Sequence, residues 1–176
     1  MDAASSTQSG PRVPTGLGYA LRAAACMTGL MVLYYFPYDP SGSVGRSLQE
    51  YLTLQARLSG WLIGIFDPSV RVEGTSIDGA YSLLIVKTCS ALDLQALYAG
   101  AVLTFPARAR FKALGLALGL AALNLLNLTR VALLYLVGAH SPARFDEVHE
   151  EWMPLLLVAC TCGLFMLWLR GSARVR

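Results

Sequence analysis

Residues 113–138 read ALGLALGLAALNLLNLTRVALLYLVG, and Arg130 is the single charge among them. An uninterrupted apolar stretch of this length exceeds the ~20 residues that cross a ~30 Å hydrocarbon core. The same pattern recurs on either side. Residues 17–36 carry only Arg22, residues 90–105 only Asp93, and residues 153–169 no charge at all. The 176-residue chain is 55% hydrophobic and 14% charged, with a mean hydropathy of +0.52. A soluble domain of this size carries about 25% charged residues. These features predict an all-α membrane protein, a four-transmembrane-helix bundle with spans at about 17–36, 90–105, 113–139 and 153–169. Residues 17–170 then form a single membrane domain. A cleaved signal peptide over the first run fits less well, because its exit, Phe36-Pro37-Tyr38-Asp39-Pro40, lacks a small-x-small cleavage site.

The connecting segments differ in character. Residues 1–16, rich in Ser, Gly, Pro and Thr, read as a disordered cytoplasmic tail. Residues 37–89 form an outer segment. Within it, Leu48, Leu52, Leu58, Leu62 and Ile65 alternate with Gln49, Glu50, Gln55 and Arg57, which predicts an amphipathic interfacial helix over 47–66. A fifth span is the rival there, opposed by those charges and by Gly60 and Gly64. Beyond it, alternating residues 70–73, turn chemistry at Gly74 and Asp78-Gly79, and a β-prone run from Tyr81 to Lys87 predict a short β-hairpin.

Charge fixes the orientation. With four spans, Arg12, the Arg108/Arg110/Lys112 loop and Arg170, Arg174 and Arg176 share one side, and the acidic loop around Glu150 takes the other. The positive-inside rule makes both termini cytoplasmic. Basic residues here set topology; no Arg/Lys cluster interleaved with aromatics points to nucleic acid.

The spans also serve as rulers. At ~1.5 Å per residue, Arg130 lies ~26 Å from Ala113, Cys89 ~26 Å from Pro106 and His149 ~31 Å from Arg170. A thiol, a guanidinium and an imidazole therefore converge on one layer at the outer rim. Cys26, Cys160 and Cys162 fall inside apolar spans, where cysteine usually acts as a small hydrophobe. Cys89 alone is placed on the oxidising side, without an intramolecular partner. A helix N-terminus after it and a guanidinium nearby favour the nucleophilic thiolate.

Arg130 is costly in a span, about 2.5–3.5 kcal/mol at a helix centre and less at the rim, and such residues usually function or pair. Asn127 and Asn124, one and two turns earlier, predict support that fixes its direction; their bland role is hydrogen bonding between spans. His149 sits where a general acid/base could reach the thiol, and His140 is its competitor. Asp93 could orient the histidine or neutralise Arg130, and Lys87 is a further charge partner for Cys89. Gly115 and Gly119, with Ala122, read as a helix-packing face.

At these residues the chain resembles the exosortase/archaeosortase family of membrane transpeptidases. The likeness rests on Thr88-Cys89-Ser90-Ala91-Leu92, on Asn127-Leu128-Thr129-Arg130 and on Phe145-Asp146-Glu147-Val148-His149, in that order, and covers roughly residues 79–169. The small size resembles short variants such as exosortase H. Ala91 departs from the Gly that many members carry after Cys-Ser. The resemblance implies that Cys89 attacks a peptide bond near the C-terminal anchor of a secreted protein, that Arg130 stabilises the oxyanion, and that His149 serves the departing amine, with Asn127, Asp93 and Ser90 in support. It implies a thioester passed to an acceptor such as surface polysaccharide or lipid, at the periplasmic face of a bacterial inner membrane. It implies no metal or organic cofactor. Two other classes fit the hydropathy alone: a non-enzymatic assembly or scaffold subunit, and a transporter fragment, although transporters usually bind near the midplane.

Overall fold

A computed structural model describes residues 16–39 and 41–173. The tail assigned to residues 1–16 lies outside them except for Gly16, and so do Arg174 and Arg176. The chain runs α1 (Gly16–Tyr35), α2 (Ser43–Ile63), β1 (Arg71–Glu73), β2 (Ser76–Asp78), β3 (Leu83–Leu84), a 3-10 turn (Lys87–Cys89), α3 (Leu92–Thr104) and α4 (Ala109–His140). A second 3-10 turn (Pro142–Arg144), the short α5 (Phe145–Glu147), a π-helical turn (Val148–Trp152) and α6 (Met153–Ala173) complete it.

Two helical stretches are long and apolar enough to cross a membrane, Ala109–His140 and the nearly continuous Pro142–Ser172. The apolar part of α1 is shorter, Ala20–Tyr35. α3 has 13 residues, ~20 Å of helix, where the sequence predicted a span over 90–105. The shortening has a local cause. Ala91 takes φ 50°, in the left-handed region, so the helix cannot run back through Ser90 to Cys89. The thiol is carried by a 3-10 turn, and the helical ruler from Pro106 does not apply to its last steps.

The inner half of α4 is built for close approach. Gly115 and Gly119 leave room for aromatic rings: a Cβ on Gly119 would meet the Tyr98 ring at 2.2 Å, and one on Gly115 would meet Trp168 Nε1 at 2.2 Å. Tyr98 in α3 donates its hydroxyl to the Gly115 carbonyl at 3.0 Å, and Trp168 in α6 donates its indole N–H to the Phe111 carbonyl at 2.9 Å. Each ring brings apolar area and satisfies its polar atom on the same helix. The sequence predicted this packing face, and α3, α4 and α6 meet there.

The outer half of α4 packs differently, against α2 and the sheet. α2 begins earlier than predicted and ends at Ile63. Its buried face, Leu52, Gln55, Ala56, Ser59, Gly60 and Ile63, recurs at helical spacing. Trp61, on the opposite face, is exposed. The hairpin expectation is corrected: β1, β2 and β3 form a three-stranded antiparallel sheet in that order. Gly74, at φ +60°, closes β1 onto β2 with Glu73 opposite Ser76, and the segment 79–82 returns the chain for a third strand. Only Leu83–Leu84 of the β-prone run pairs as strand. Ile77 and Ile85 seat the sheet on Ile63, Val131 and Tyr135.

Candidate active site

The turn that carries Cys89 is pinned by its own backbone. The Cys89 N–H donates to the Val86 carbonyl at 2.8 Å and the Ser90 N–H to the Lys87 carbonyl at 3.2 Å. The buried Ser90 hydroxyl donates to the same Lys87 carbonyl at 2.5 Å. Ser90 therefore stabilises the thiol turn without lining the cavity described below. The Lys87 ammonium meets the end of α1. It donates to the Tyr34 carbonyl at the end of α1 and lies 4.4 Å over the Tyr34 ring centroid, with Tyr38 at 5.4 Å. Its charge is satisfied by the carbonyl end of a helix and two π faces, where the sequence offered the thiol as a partner.

α4 reaches the turn from the other side. Asn127, fully buried, donates its amide N–H to the Cys89 carbonyl at 3.0 Å. The sequence had assigned Asn127 to hold Arg130; its hydrogen bond instead ties α4 to the residue bearing the thiol. Asn124 accepts a 2.6 Å hydrogen bond from Gln55 of α2, whose amide also donates to the Tyr51 hydroxyl at 2.8 Å. One turn beyond Asn127, Arg130 is 8% exposed, and its Nε is buried with no partner among the described residues. A desolvated guanidinium with unspent donor capacity is unfavourable on its own.

The third side comes from the segment between α4 and α6. His149 sits in the π-helical turn, its ring stacked on Phe145 with centroids 5.5 Å apart and planes at 11°. Phe145 in turn contacts Tyr81 at 5.3 Å, and Tyr81 lies against Gly138, where a Cβ would approach its ring to 2.5 Å. This row of rings fixes the imidazole relative to α4.

Cys89, Arg130 and His149 line one cavity of about 300 Å³, together with residues 81–86, Thr88, Val131, Leu134 and Phe145. Three separate elements thus bring a thiol, a guanidinium and an imidazole to a mostly apolar pocket. Such a set has the composition that acyl transfer needs: nucleophile, oxyanion cation and proton carrier. Two expected members stand apart. Asp93, in the first turn of α3, does not line the cavity. His140 is exposed at the end of α4, its Nδ1 3.0 Å from the Leu136 carbonyl, also outside the lining.

The family model of the transmembrane exosortases (Exosortase_EpsH) matches residues 16–168. The match takes in every helix described above and most of the chain. This chain belongs to the transmembrane exosortase family. No curated protein and no solved structure matches. Exosortases are membrane proteins that process secreted substrates carrying sorting signals, generally as cysteine transpeptidases. The match also extends the likeness back from residue 79 to residue 16, bringing α1 and α2 into the exosortase unit.

Two residues that the sequence left unmarked brace α2 and the loop after it against α4 in this exosortase. Gln55 was counted as part of a polar face, yet it is 2% exposed and bridges α2 to α4. Its position on the same stripe as Leu52 and Ala56 was the available signal. Asp67 is a second case. Its carboxylate accepts from the Ser69 hydroxyl at 2.6 Å, the Tyr135 hydroxyl at 2.5 Å, the Ser69 N–H at 2.9 Å and the Ala80 N–H at 3.2 Å. The Ser69 hydroxyl first, then Tyr135 and the two backbone donors, hold it well below the usual carboxylate range. Asp67 thereby staples the loop after α2 and the approach to β3 onto the outer half of α4.

Proposed function

We propose that this exosortase cleaves the C-terminal sorting signal of secreted proteins through a Cys89 thioester and transfers them to an acceptor. The observation that carries the proposal is the meeting of Cys89, Arg130 and His149 on one cavity. Cys89 gives its S–H proton to His149, and Sγ attacks the scissile carbonyl carbon. Arg130, poorly solvated and therefore strong in its field, stabilises the oxyanion. As the tetrahedral intermediate collapses the C–N bond breaks, His149 delivers a proton to the departing amine, and the thioester remains. The acceptor's nucleophilic atom then attacks the thioester, gives up its proton, breaks the C–S bond and regenerates the thiol. Water in that role gives hydrolysis; a hydroxyl or amine of surface polysaccharide or lipid gives transfer. Asn127 and Ser90 position the thiol turn; Asp93, one turn below, contributes negative potential without touching the reacting atoms.

In the membrane, α1, α3, α4 and the stretch 142–172 make four crossings. The arginine-rich ends lie on the cytoplasmic side of a bacterial inner membrane and the cavity lies on the periplasmic side. The distribution of Arg108, Arg110, Lys112 and Arg170 against Glu147, Glu150 and Glu151 supports that orientation. α2 and the sheet cover the outer face.

The deciding experiment is mass spectrometry of the wild-type protein trapped with a processed substrate. An acyl adduct on Cys89, with the substrate's C-terminal residue read from it, is the expected result; an adduct on another residue, or none, rejects the thiol mechanism. A membrane-impermeant maleimide should label Cys89 in intact spheroplasts. Labelling only after permeabilisation overturns the orientation.

A further inference from the structure

Six consecutive residues, 81–86, line the cavity beside Cys89. A strand that turned one face to a cavity would contribute alternate residues, because successive side chains point to opposite faces. An unbroken run means that the cavity meets this segment along its backbone edge. β3 stands last in the sheet order, so that edge has no neighbouring strand.

The register tells which backbone groups face the cavity. The Ile85 N–H donates to the Thr75 carbonyl at 2.8 Å, while Leu83 stands opposite Ile77 and Leu84 opposite Ser76. Hydrogen-bonded and non-bonded pairs alternate in an antiparallel ladder. Leu83 and Ile85 therefore spend their backbone groups on β2, and the N–H and C=O of Leu84 point the other way. The next outward-facing carbonyl, Val86, already accepts the Cys89 N–H, so the open edge ends where the thiol turn begins. Leu84, Val131, Leu134 and Phe145 make the walls apolar, and Arg130 and His149 are the basic residues of the lining.

We infer that the substrate docks as an extended peptide added to the open edge of β3, pairing with the backbone of Leu84 and carrying uncharged side chains at the scissile bond. A strand addition of this kind draws affinity from main-chain hydrogen bonds and selectivity from alternate side-chain pockets. It leads the peptide along the edge to the point where Cys89 stands. The inference rests on Cys89 as nucleophile, the reading given under Proposed function, and adds the site that presents the peptide to it.

The test uses the full-length protein in detergent and acetyl-Ala-Ala-Ala chloromethyl ketone, which forms a thioether on a thiol with loss of chloride. Peptide mass spectrometry follows modification of Cys89. The peptide should react at least ~10-fold faster than an alkyl chloromethyl ketone of equal length. Methylating the one amide nitrogen that faces the edge should slow it about 5- to 10-fold, the loss of a single backbone hydrogen bond. Methylating the neighbouring nitrogen should change the rate less than ~2-fold. Leu84→Pro removes the outward N–H but spares the β2 ladder, and should slow the unmethylated peptide about 5- to 10-fold, the loss of the bond to its carbonyl, while iodoacetamide still reaches Cys89 at the wild-type rate. Should Leu84→Pro fail to fold, the methylated series on the wild-type protein decides alone. Equal rates for all the peptides, or an alkyl reagent as fast as the peptide, overturn strand addition and favour a lipid chain in the cavity. Alkylation requires no turnover, so the two readings fail separately: sorting-signal processing that survives Cys89→Ala overturns the nucleophile and leaves the docking result standing.

Discussion

The two halves of α4 bury different chemistry. Toward its N-terminal end, Gly115 and Gly119 receive Trp168 and Tyr98, and every polar atom in those contacts finds a carbonyl. Toward the outer end, Asn127, Arg130 and Tyr135 are buried among α2, the sheet and the thiol turn, and Asn127 Oδ1 and Arg130 Nε have no partner among the described residues. Unsatisfied buried polar atoms cost on the order of 1–3 kcal/mol each. A helix selected for stability alone would carry leucine at those positions. The inner, N-terminal half is paired throughout these contacts; the outer, C-terminal half leaves buried polar atoms unpaired among the described residues, beside the cavity that Cys89 and Arg130 line.

Substitutions should separate the halves by what they change. The largest effect belongs to Cys89→Ala: sorting-signal processing should fall to background while the protein still accumulates in the membrane, whereas Cys160→Ser should process at the wild-type level. Immunoblotting of substrate and enzyme reads both; unimpaired processing by Cys89→Ala would remove the functional half of the contrast. Next, Arg130→Gln should lower kcat by about 10²–10³ with a small change in KM, the size expected on removing one oxyanion donor. A matching fall in membrane abundance would mark Arg130 as a structural residue instead. Asn127→Ala should cost roughly tenfold in kcat, because it frees the Cys89 carbonyl rather than removing a reacting group.

The inner half should answer with stability, not rate. Gly119→Leu forces its side chain into the Tyr98 ring and should destabilise the protein by about 1–3 kcal/mol. That is visible as a lower melting temperature in detergent, with the activity of the folded fraction preserved.

The smallest effect concerns Asp67. Its pKa is depressed in the folded protein relative to the ordinary 3.8, so its contribution to stability is complete above pH ~4 and is lost as pH falls toward the folded value. Melting temperatures between pH 3 and 6 should therefore drop more steeply for the wild type than for Asp67→Asn. Parallel curves would mean that the carboxylate's exposure cancels its hydrogen bonds.

The division of α4 was partly legible in the sequence. Glycines four apart announce a packing face, and an arginine in an apolar run announces a purpose, because both are properties of one helix. Cys89, Arg130 and His149 line one cavity, but helix rise alone does not account for that meeting, since Cys89 stands on a 3-10 turn and His149 in a π turn. What escaped depended on pairs distant in the chain. The Gln55–Asn124 bond joins residues that no periodicity relates, and Lys87 turned toward Tyr34 because α1 happens to end there. The third strand was missed because a β-prone run reads the same whether it pairs across Asp78-Gly79 or after a wider loop. The break before α3 depends on Ala91 at positive φ, a conformation that alanine does not advertise.

The π-helical turn at Val148–Trp152 has a consequence for inheritance. A π turn holds one residue more than the α-helical turn it replaces. Removing a single codon there would let α5 and α6 fuse into one regular helix. Each residue advances a helix by ~100°, so everything before the deletion, His149 included, would swing by about that angle relative to α6. The imidazole would leave the row of rings that holds it over the cavity, although no residue of the lining had been exchanged for another. In this segment the register of the helix itself holds the imidazole in place, so a one-residue deletion should disturb the cavity more than most substitutions.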